Sequence, residues 1–576
     1  MPAILTLGAA LAVLAPASSS LDLGPRLRQH VEILAAEEME GRMTLQPGEI
    51  KAAEYIANEL KKLGVGPFAQ SYFHFFDITV NRQVGPNSQM SLTLADGREI
   101  NLRPDVDYRP LANTSENPAE AGLVYVGYGL ETEGRNDFEG VDLKGKIAVA
   151  LRGGAGGTPV PTATKAQSAA SRGAVGLIVV GPLGKSTLEL PVTSSRQGMP
   201  RNSALAGAGI HRKYFKDLTG LEFDAALANT GFQSKVLDSK ARMALDLEPN
   251  KGRGRNVIAV LPGTDPKLRH QYVIVGAHYD HLGHGEVGST SGTEEIHCGA
   301  DDNASGTAGV LAVAEYFAKN RTNRRTLIFQ LYSGEEVGLV GSEAWAKDHP
   351  EVLRDTHLMV NMDMIGRLRN DTLTVFGGRV TREMPRLLEG IQIPGLKISA
   401  TPSISGNSDH FAFTRREVPA VHAFTGMHAE YHNERDTPET LNYEGLRLVT
   451  EGMIQLIKNA DALNFKMIFR PAPNNRTERP ATNEQPRRAR VGFIPDMGNA
   501  ATDGMMIQGV VARSPAEKAG IKAGDKLVQF GDKVIKDIED LQAALTTAKA
   551  GEAVKVVVIR GGQRLELTVI PAAPGN

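Results

Sequence analysis

Residues 272–283 read YVIVGAHYDHLG, a short apolar run with strand character that closes on a Gly-Ala step and delivers His278. A run of this length bounded by turn-forming residues reads as a buried strand rather than a helix. Working outward, four more stretches place a metal-grade side chain after an apolar run. Asp302 lies in GADDNASG (299–306), Glu335 and Glu336 in YSGEEVGLVG (332–341), Asp363 in NMDMIG (361–366) and His432 in YHNERDT (431–437). Two imidazoles and several carboxylates in one order are the ligand inventory of a pair of zinc ions that share a bridging carboxylate. Such a centre is hydrolytic.

The strand-like runs VIAVL, YVIVGA, TLIFQLYS and HLMVNMD alternate with helical patterns between residues 255 and 464. Beyond Ser305, Val310, Leu311, Ala314, Phe317 and Ala318 share one helical face. Alternation of this kind predicts an α/β fold, a mixed sheet sandwiched by helices. Sites in such sheets gather at the carboxyl ends of strands. His278, the Glu335-Glu336 pair and Asp363 all fall there. Two amphipathic helices are expected ahead of the sheet, over residues 27–34 and 50–63.

Taken singly, these residues also have plain readings. Asp301-Asp302-Asn303 suits a helix cap, an adjacent acid pair suits a solvated surface, and His432 alone suits a structural role. Their joint arrangement favours the metal. Asp280 stands two residues from His278 on extended backbone, so the two side chains point the same way. Asp280 can then accept from the second imidazole nitrogen and set its tautomer. Glu335 and Glu336 face opposite ways, so that one can bind metal while the other addresses water.

These motifs together resemble the two-zinc aminopeptidases typified by secreted bacterial leucyl aminopeptidases, a family that also holds glutamate carboxypeptidase and the glutaminyl cyclases. The resemblance implies a zinc exopeptidase fold and two zinc ions as cofactors. It makes Asp302 the bridging carboxylate, joined to Asn303 by a cis peptide. It assigns Glu336 and His432 to one ion, His278 and Asp363 to the other. Glu335 becomes the general base, Asp280 the group that orients His278, and Tyr431 a donor to the oxyanion. The implied activity is removal of amino-terminal residues from peptide substrates. A carboxypeptidase, a single-zinc glutaminyl cyclase or a non-catalytic peptide-binding scaffold are the alternatives.

Two further resemblances flank this unit. FEGVDLKGKIAVALRG (138–153) followed by GAVGLIVVG (173–181) is similar to a protease-associated domain, here a mostly-β insertion with a helix expected over 163–170. SPAEKAGIKAGDKLVQFGDKVI (514–535) resembles a bacterial PDZ module, closed by a hairpin on Gly561-Gly562. Its groove helix is expected over 540–547. Its carboxylate-binding loop would contain Val491, Gly492 and Phe493, which implies a C-terminal peptide as a possible ligand. Between the units, residues 469–490 are rich in Pro, Asn and Arg and read as a flexible linker.

The expected boundaries are a signal peptide over 1–20, a peptidase domain over 21–115 and 248–465, the insertion over 116–247, a linker over 466–489 and the PDZ domain over 490–576. The signal rests on ILTLGAALAVL (4–14) followed by Ala15-Pro16-Ala17, although no Lys or Arg precedes it. The chain is therefore expected to be secreted or periplasmic. No later stretch reads as a membrane span. A net charge of −2 over 576 residues, with acids and bases interspersed, gives no basic face for nucleic acid. The single cysteine, Cys298, reads as a small buried apolar residue.

Overall fold

The structure, a computed structural model, describes residues 22–470 and 491–572 apart from 133–134, 159, 183–187, 192–204, 229–233, 286–287, 292, 405–407, 496–503, 511–513, 523, 536–539, 542–543, 546–547 and 550. The expected signal segment and most of the linker lie outside the described residues.

The strands Thr326–Tyr332 and Thr356–Met362 are buried at every residue. A strand with no exposed residue must be covered on both faces. Their side chains sort by parity, as pleating requires. Val273, Val275, Leu327, Phe329, Leu358 and Val360 enter one core, while Ile274, Ile328 and Met359 enter the opposite one. Helices Gly24–Leu34, Pro47–Lys62, Gly306–Asn320 and Tyr443–Asp461 supply the first layer. Val340–Asp348, Pro350–Asp355 and His410–Thr414 supply the second, around the fully buried Trp345.

In the sheet, Tyr272–His278 lies between Thr326–Tyr332 and Thr356–Met362, and Ala420–Phe424 follows beyond the latter, all four parallel. Leu247–Leu261 and Thr372–Phe376 add antiparallel neighbours on either side, which makes the sheet mixed. The four parallel strands direct their carboxyl ends to one edge. The first two helices start three residues before their expected positions, at segments with Pro in the first turn. Proline is pre-shaped for that position and lacks the amide that would otherwise go unpaired. The helix Gly306–Asn320 is buried nearly all round, not on one face, because the first helix packs over it.

The insertion has its own eight-stranded sheet, in which Ile147–Leu151 lies between Ala119–Tyr125 and Gly176–Val180. Its helix, Thr162–Ala170, packs beside Gly176–Val180. The sheet also takes in Gln89–Thr93, Glu99–Leu102 and Tyr108–Pro110, earlier in the chain than residue 116. The C-terminal unit is a smaller sheet whose hairpin turns on Gly561 and Gly562, both at positive φ (54° and 81°). No helix among the described residues is long and apolar enough to cross a membrane.

Residues 466–470 pack on the peptidase unit. Met467 is fully buried and donates its amide to His357 Nδ1 at 3.1 Å, and the Arg470 amide donates to Val380 O at 2.7 Å. A chain ending at Arg470 should therefore unfold at the same temperature as the full chain in its main calorimetric transition. A chain ending at Ala462 loses the Met467 side chain and should be destabilised by about 2–5 kcal/mol. Equal transitions for the two truncations would refute this account of the boundary.

Candidate metal centre

His278 is the last residue of its strand, and Asp363 follows Met362 at the end of the neighbouring strand. His278 Nε2 lies 3.3 Å from Asp302 Oδ1 and 3.3 Å from Asp363 Oδ1. His432 Nε2 lies 3.2 Å from Asp302 Oδ2 and 3.1 Å from Glu336 Oε2. The two oxygens of one carboxylate thus face two different imidazoles. Each nest offers one nitrogen and two carboxylate groups. A tetrahedral ion with bonds of about 2.0–2.1 Å has ligand atoms about 3.3 Å apart, so the donor types and the nitrogen-to-oxygen distances of both nests suit zinc. Donor atoms of His278, Glu335 and Asp363 also lie within 4.8 Å of one another, as do those of His278, Asp302 and Glu336.

Asp302 is presented by the turn Ala300–Ser305 that leads into the helix Gly306–Asn320. Its peptide to Asn303 is cis. Asn303 does the capping, accepting from Gly306 N at 2.9 Å, so Asp302 is left for the centre. The turn is pressed against the strand that carries Asp363. A Cβ on Gly306 would fall 2.2 Å from the Met362 carbonyl oxygen, a closeness only glycine allows.

Asp280 stands behind His278, but its backbone oxygen is nearer to His278 Nδ1 (3.2 Å) than its carboxylate (3.7 Å). The carboxylate instead accepts from the Thr44 hydroxyl at 2.9 Å and from the Glu335 amide at 3.2 Å. Asp280 therefore ties the imidazole to the segment that bears the acid pair. The two acids differ in state. Burial, reinforced by Glu336, Asp409 and Asp363 and opposed by His278, pushes Glu335 well above the ordinary carboxyl range. Burial acts on Glu336 too, but His432 and His281 outweigh it and hold that carboxyl at about 2. The Tyr431 ring stacks on His432 with centroids 3.8 Å apart. Burial and the surrounding acids push its hydroxyl well above its usual range, so it stays a donor at neutral pH.

Val491, Gly492 and Phe493 belong to the C-terminal unit. Val491 is buried in that unit's core, with its carbonyl accepting from Ala516 N at 2.9 Å. Phe493–Pro495 forms the outermost strand in the order of that sheet. The expected groove helix falls only partly within the described residues.

Several supporting residues escape a reading of motifs. His281 Nδ1 is 2.7 Å from Glu336 Oε1. Its place three residues after His278 is the one signal that could have drawn attention to it. Asp436 accepts from the amides of Asp301 and Asp302, each at 3.0 Å, and burial with the nearby Asp301 pushes its carboxyl up to about 6. Asp409 is fully buried, and burial pushes it up to about 7. Arg42 is fully buried and donates to the carbonyls of Leu34, Tyr279, Cys298 and Gly299. It fastens the first helix to the residues that follow His278 and precede Asp302. Nothing near it in sequence suggests that task.

Residues 256–457 match the model of peptidase family M28, residues 119–216 that of the PA domain and residues 484–570 that of the PDZ domain. The three matches follow one another along the chain in the order PA, M28 and PDZ. It is 28% identical over 253 residues to a probable leucine aminopeptidase of Trichophyton verrucosum, covering 41% of this chain and 65% of that protein. It is 26% identical over 299 residues to leucine aminopeptidase 1 of Uncinocarpus reesii, covering 47% and 70%. The chain spans just under two thirds of the length of the first curated relatives it matches. Among solved structures, a zinc aminopeptidase from Bacillus subtilis aligns with a TM-score of 0.46 at 22% identity, over 78% of this chain and 98% of that one. An aminopeptidase from Aneurinibacillus sp. strain AM-1 aligns with 0.42 at 23% identity, over 78% and 96%.

The four carbonyls gathered by Arg42 supply a test of the frame. Arg42→Met strands the carbonyls of Leu34, Tyr279 and Cys298, while that of Gly299 keeps the Ala304 amide, at roughly 1–3 kcal/mol for each one left unpaired. Denaturant unfolding should show a loss of about 3 kcal/mol or more. A loss under 1 kcal/mol would mean that Arg42 does not hold the centre's loops together.

Proposed function

We propose that this chain is a secreted two-zinc aminopeptidase that releases amino-terminal residues from peptides. The observation that carries the proposal is the split carboxylate of Asp302, with one oxygen toward His278 and the other toward His432. His278, Asp363 and Asp302 would hold one ion, and His432, Glu336 and Asp302 the other. Bound there, zinc supplies Lewis acidity toward a carbonyl and lowers the pKa of water.

The chain's own residues account for the proton traffic. Of the adjacent acid pair, Glu335 is the one that burial and its acidic neighbours keep raised although His278 draws it down, and a raised pKa suits a group that takes and returns a proton. It receives the proton of the attacking water and passes it to the leaving nitrogen. Asp280 holds the Glu335 backbone in place for that transfer. Tyr431, kept protonated, can donate to the carbonyl oxygen as negative charge develops there.

The aminopeptidase reading draws on the names of the curated relatives, and the apolar run over residues 4–14 supports export. Two complete nests favour it over a single-zinc cyclase, and the retained Glu335 favours an enzyme over a scaffold. The PDZ domain supports a peptide carboxylate as a second ligand.

Two neighbouring substitutions separate the roles. Glu335→Gln should keep the zinc content while kcat falls about 10²–10⁴-fold, the range for a lost general base. Glu336→Gln should lose metal. On the native enzyme, peptides with a free amine should be cleaved and those with a blocked amine spared. Near-normal turnover of Glu335→Gln, or cleavage of blocked peptides from their carboxyl end, would overturn the proposal.

A further inference from the structure

The two imidazoles of the centre are held in different ways. His278 is fixed from within the main sheet: its Nδ1 meets the Asp280 carbonyl at 3.2 Å, and its own carbonyl accepts from the Thr307 hydroxyl at 2.9 Å. His432 is held by a loop. Its Nδ1 donates to Gly288 O at 3.1 Å, which leaves Nε2 free to face Asp302 and Glu336. Its carbonyl accepts from the amide of Thr290 at 2.7 Å and from the hydroxyl of the same residue at 3.1 Å. Thr293 Oγ1 donates to Glu434 Oε2 at 3.0 Å, and His297 Nε2 closes the loop on Ser289 Oγ at 2.8 Å. His432 also sits at a positive φ of 56°, which a histidine adopts only when its surroundings impose it.

The far end of that loop is anchored outside the peptidase domain. Glu294 Oε2 accepts from Arg152 Nη1 at 2.7 Å, and the two side chains are 0% and 1% exposed. Arg152 belongs to the PA insertion, one residue past the strand Ile147–Leu151. The insertion holds it firmly. Its guanidinium donates to Leu188 O and Glu189 O, each at 3.2 Å, and its amide to Val180 O at 3.2 Å. The next residue, Gly153, has its carbonyl bonded by the buried Lys165 Nζ at 2.5 Å. A fully buried ion pair is costly to break from one side, because the remaining charge stays without water.

We propose that Arg152 is a positioning residue of the metal centre: through Glu294 the PA insertion clamps the loop that sets the tautomer and backbone of His432, whereas the His278 half stands without it. The contacts a ligand makes beyond the metal fix its orientation, and losing them weakens a metal about 10–100-fold. The proposal rests on the two-zinc reading only for its metal readout.

The test compares the full chain with Arg152→Met, and with Glu294→Gln, which keeps shape and leaves Arg152 its two carbonyl partners. The first readout is hydrogen exchange of the metal-free proteins. The amides of 288–297 and 431–434 should exchange at least tenfold faster in both variants, while those of Tyr272–His278 stay unchanged. The second is zinc competition against a chelator, in which one of two ions should weaken 10–100-fold and the other keep its affinity. A variant that folds and exchanges like the native chain over 288–297 and 431–434 overturns the proposal. So does faster exchange spread evenly through the main sheet, which would mean general destabilisation. If the native chain binds one ion only, the two-zinc reading falls, and exchange in the metal-free proteins still decides whether Arg152 positions His432.

Discussion

The Asp302 carboxylate, reached by His278 on one side and His432 on the other, is the contact around which the molecule is arranged. Around it, Asp280, Asp301, Asp363, Glu336, Asp409 and Asp436 crowd into the protein interior, with the buried guanidinium of Arg42 nearby. Buried carboxylates at this density repel one another and lose their hydration, a cost of several kcal/mol per charge unless positive charge is brought in. The chain answers part of the demand itself. Amides of Asp301 and Asp302 bond Asp436, and burial raises Asp409, Asp436 and Glu335 toward their neutral forms. The remainder sits where both imidazoles point, which is where divalent cations fit.

The mixed sheet exists to bring these groups together from distant parts of the chain. Parallel strands with both faces covered carry their carboxyl ends to one edge, so His278 and Asp363 arrive there from neighbouring strands. The acid pair follows Tyr332 on the strand paired to the other side of His278. Loops then supply Asp302 and His432. The loop-borne histidine needs support that the sheet does not give, and the contacts of Gly288, Thr290 and Glu294 provide it.

How much of this could be read beforehand follows the range of the interactions. The strands TLIFQLY and THLMVNM announce themselves by unbroken apolar character, and the ligand types stand at their ends in plain view. Apolar periodicity begins after the prolines in the first turn of each helix, so it places the helix starts about a turn late. Asp280 stands beside His278 in the sequence, yet its carboxylate serves Thr44 and Glu335, partners far away in sequence. Arg42 lies outside every motif, and Asp436 and Arg152 lie within motifs that give no sign of what they hold. Their roles arise from carbonyls, amides and a carboxylate that only the folded chain brings within reach. The strands at 89–110 joined the insertion's sheet for the same reason, since pairing partners such as Lys235–Ala244 lie more than a hundred residues on.

The most direct measurement is diffraction at the zinc absorption edge from crystals of fully active protein. The account predicts two anomalous peaks per chain about 3.5–4 Å apart, one on each side of Asp302. A single peak in protein of full activity would contradict it.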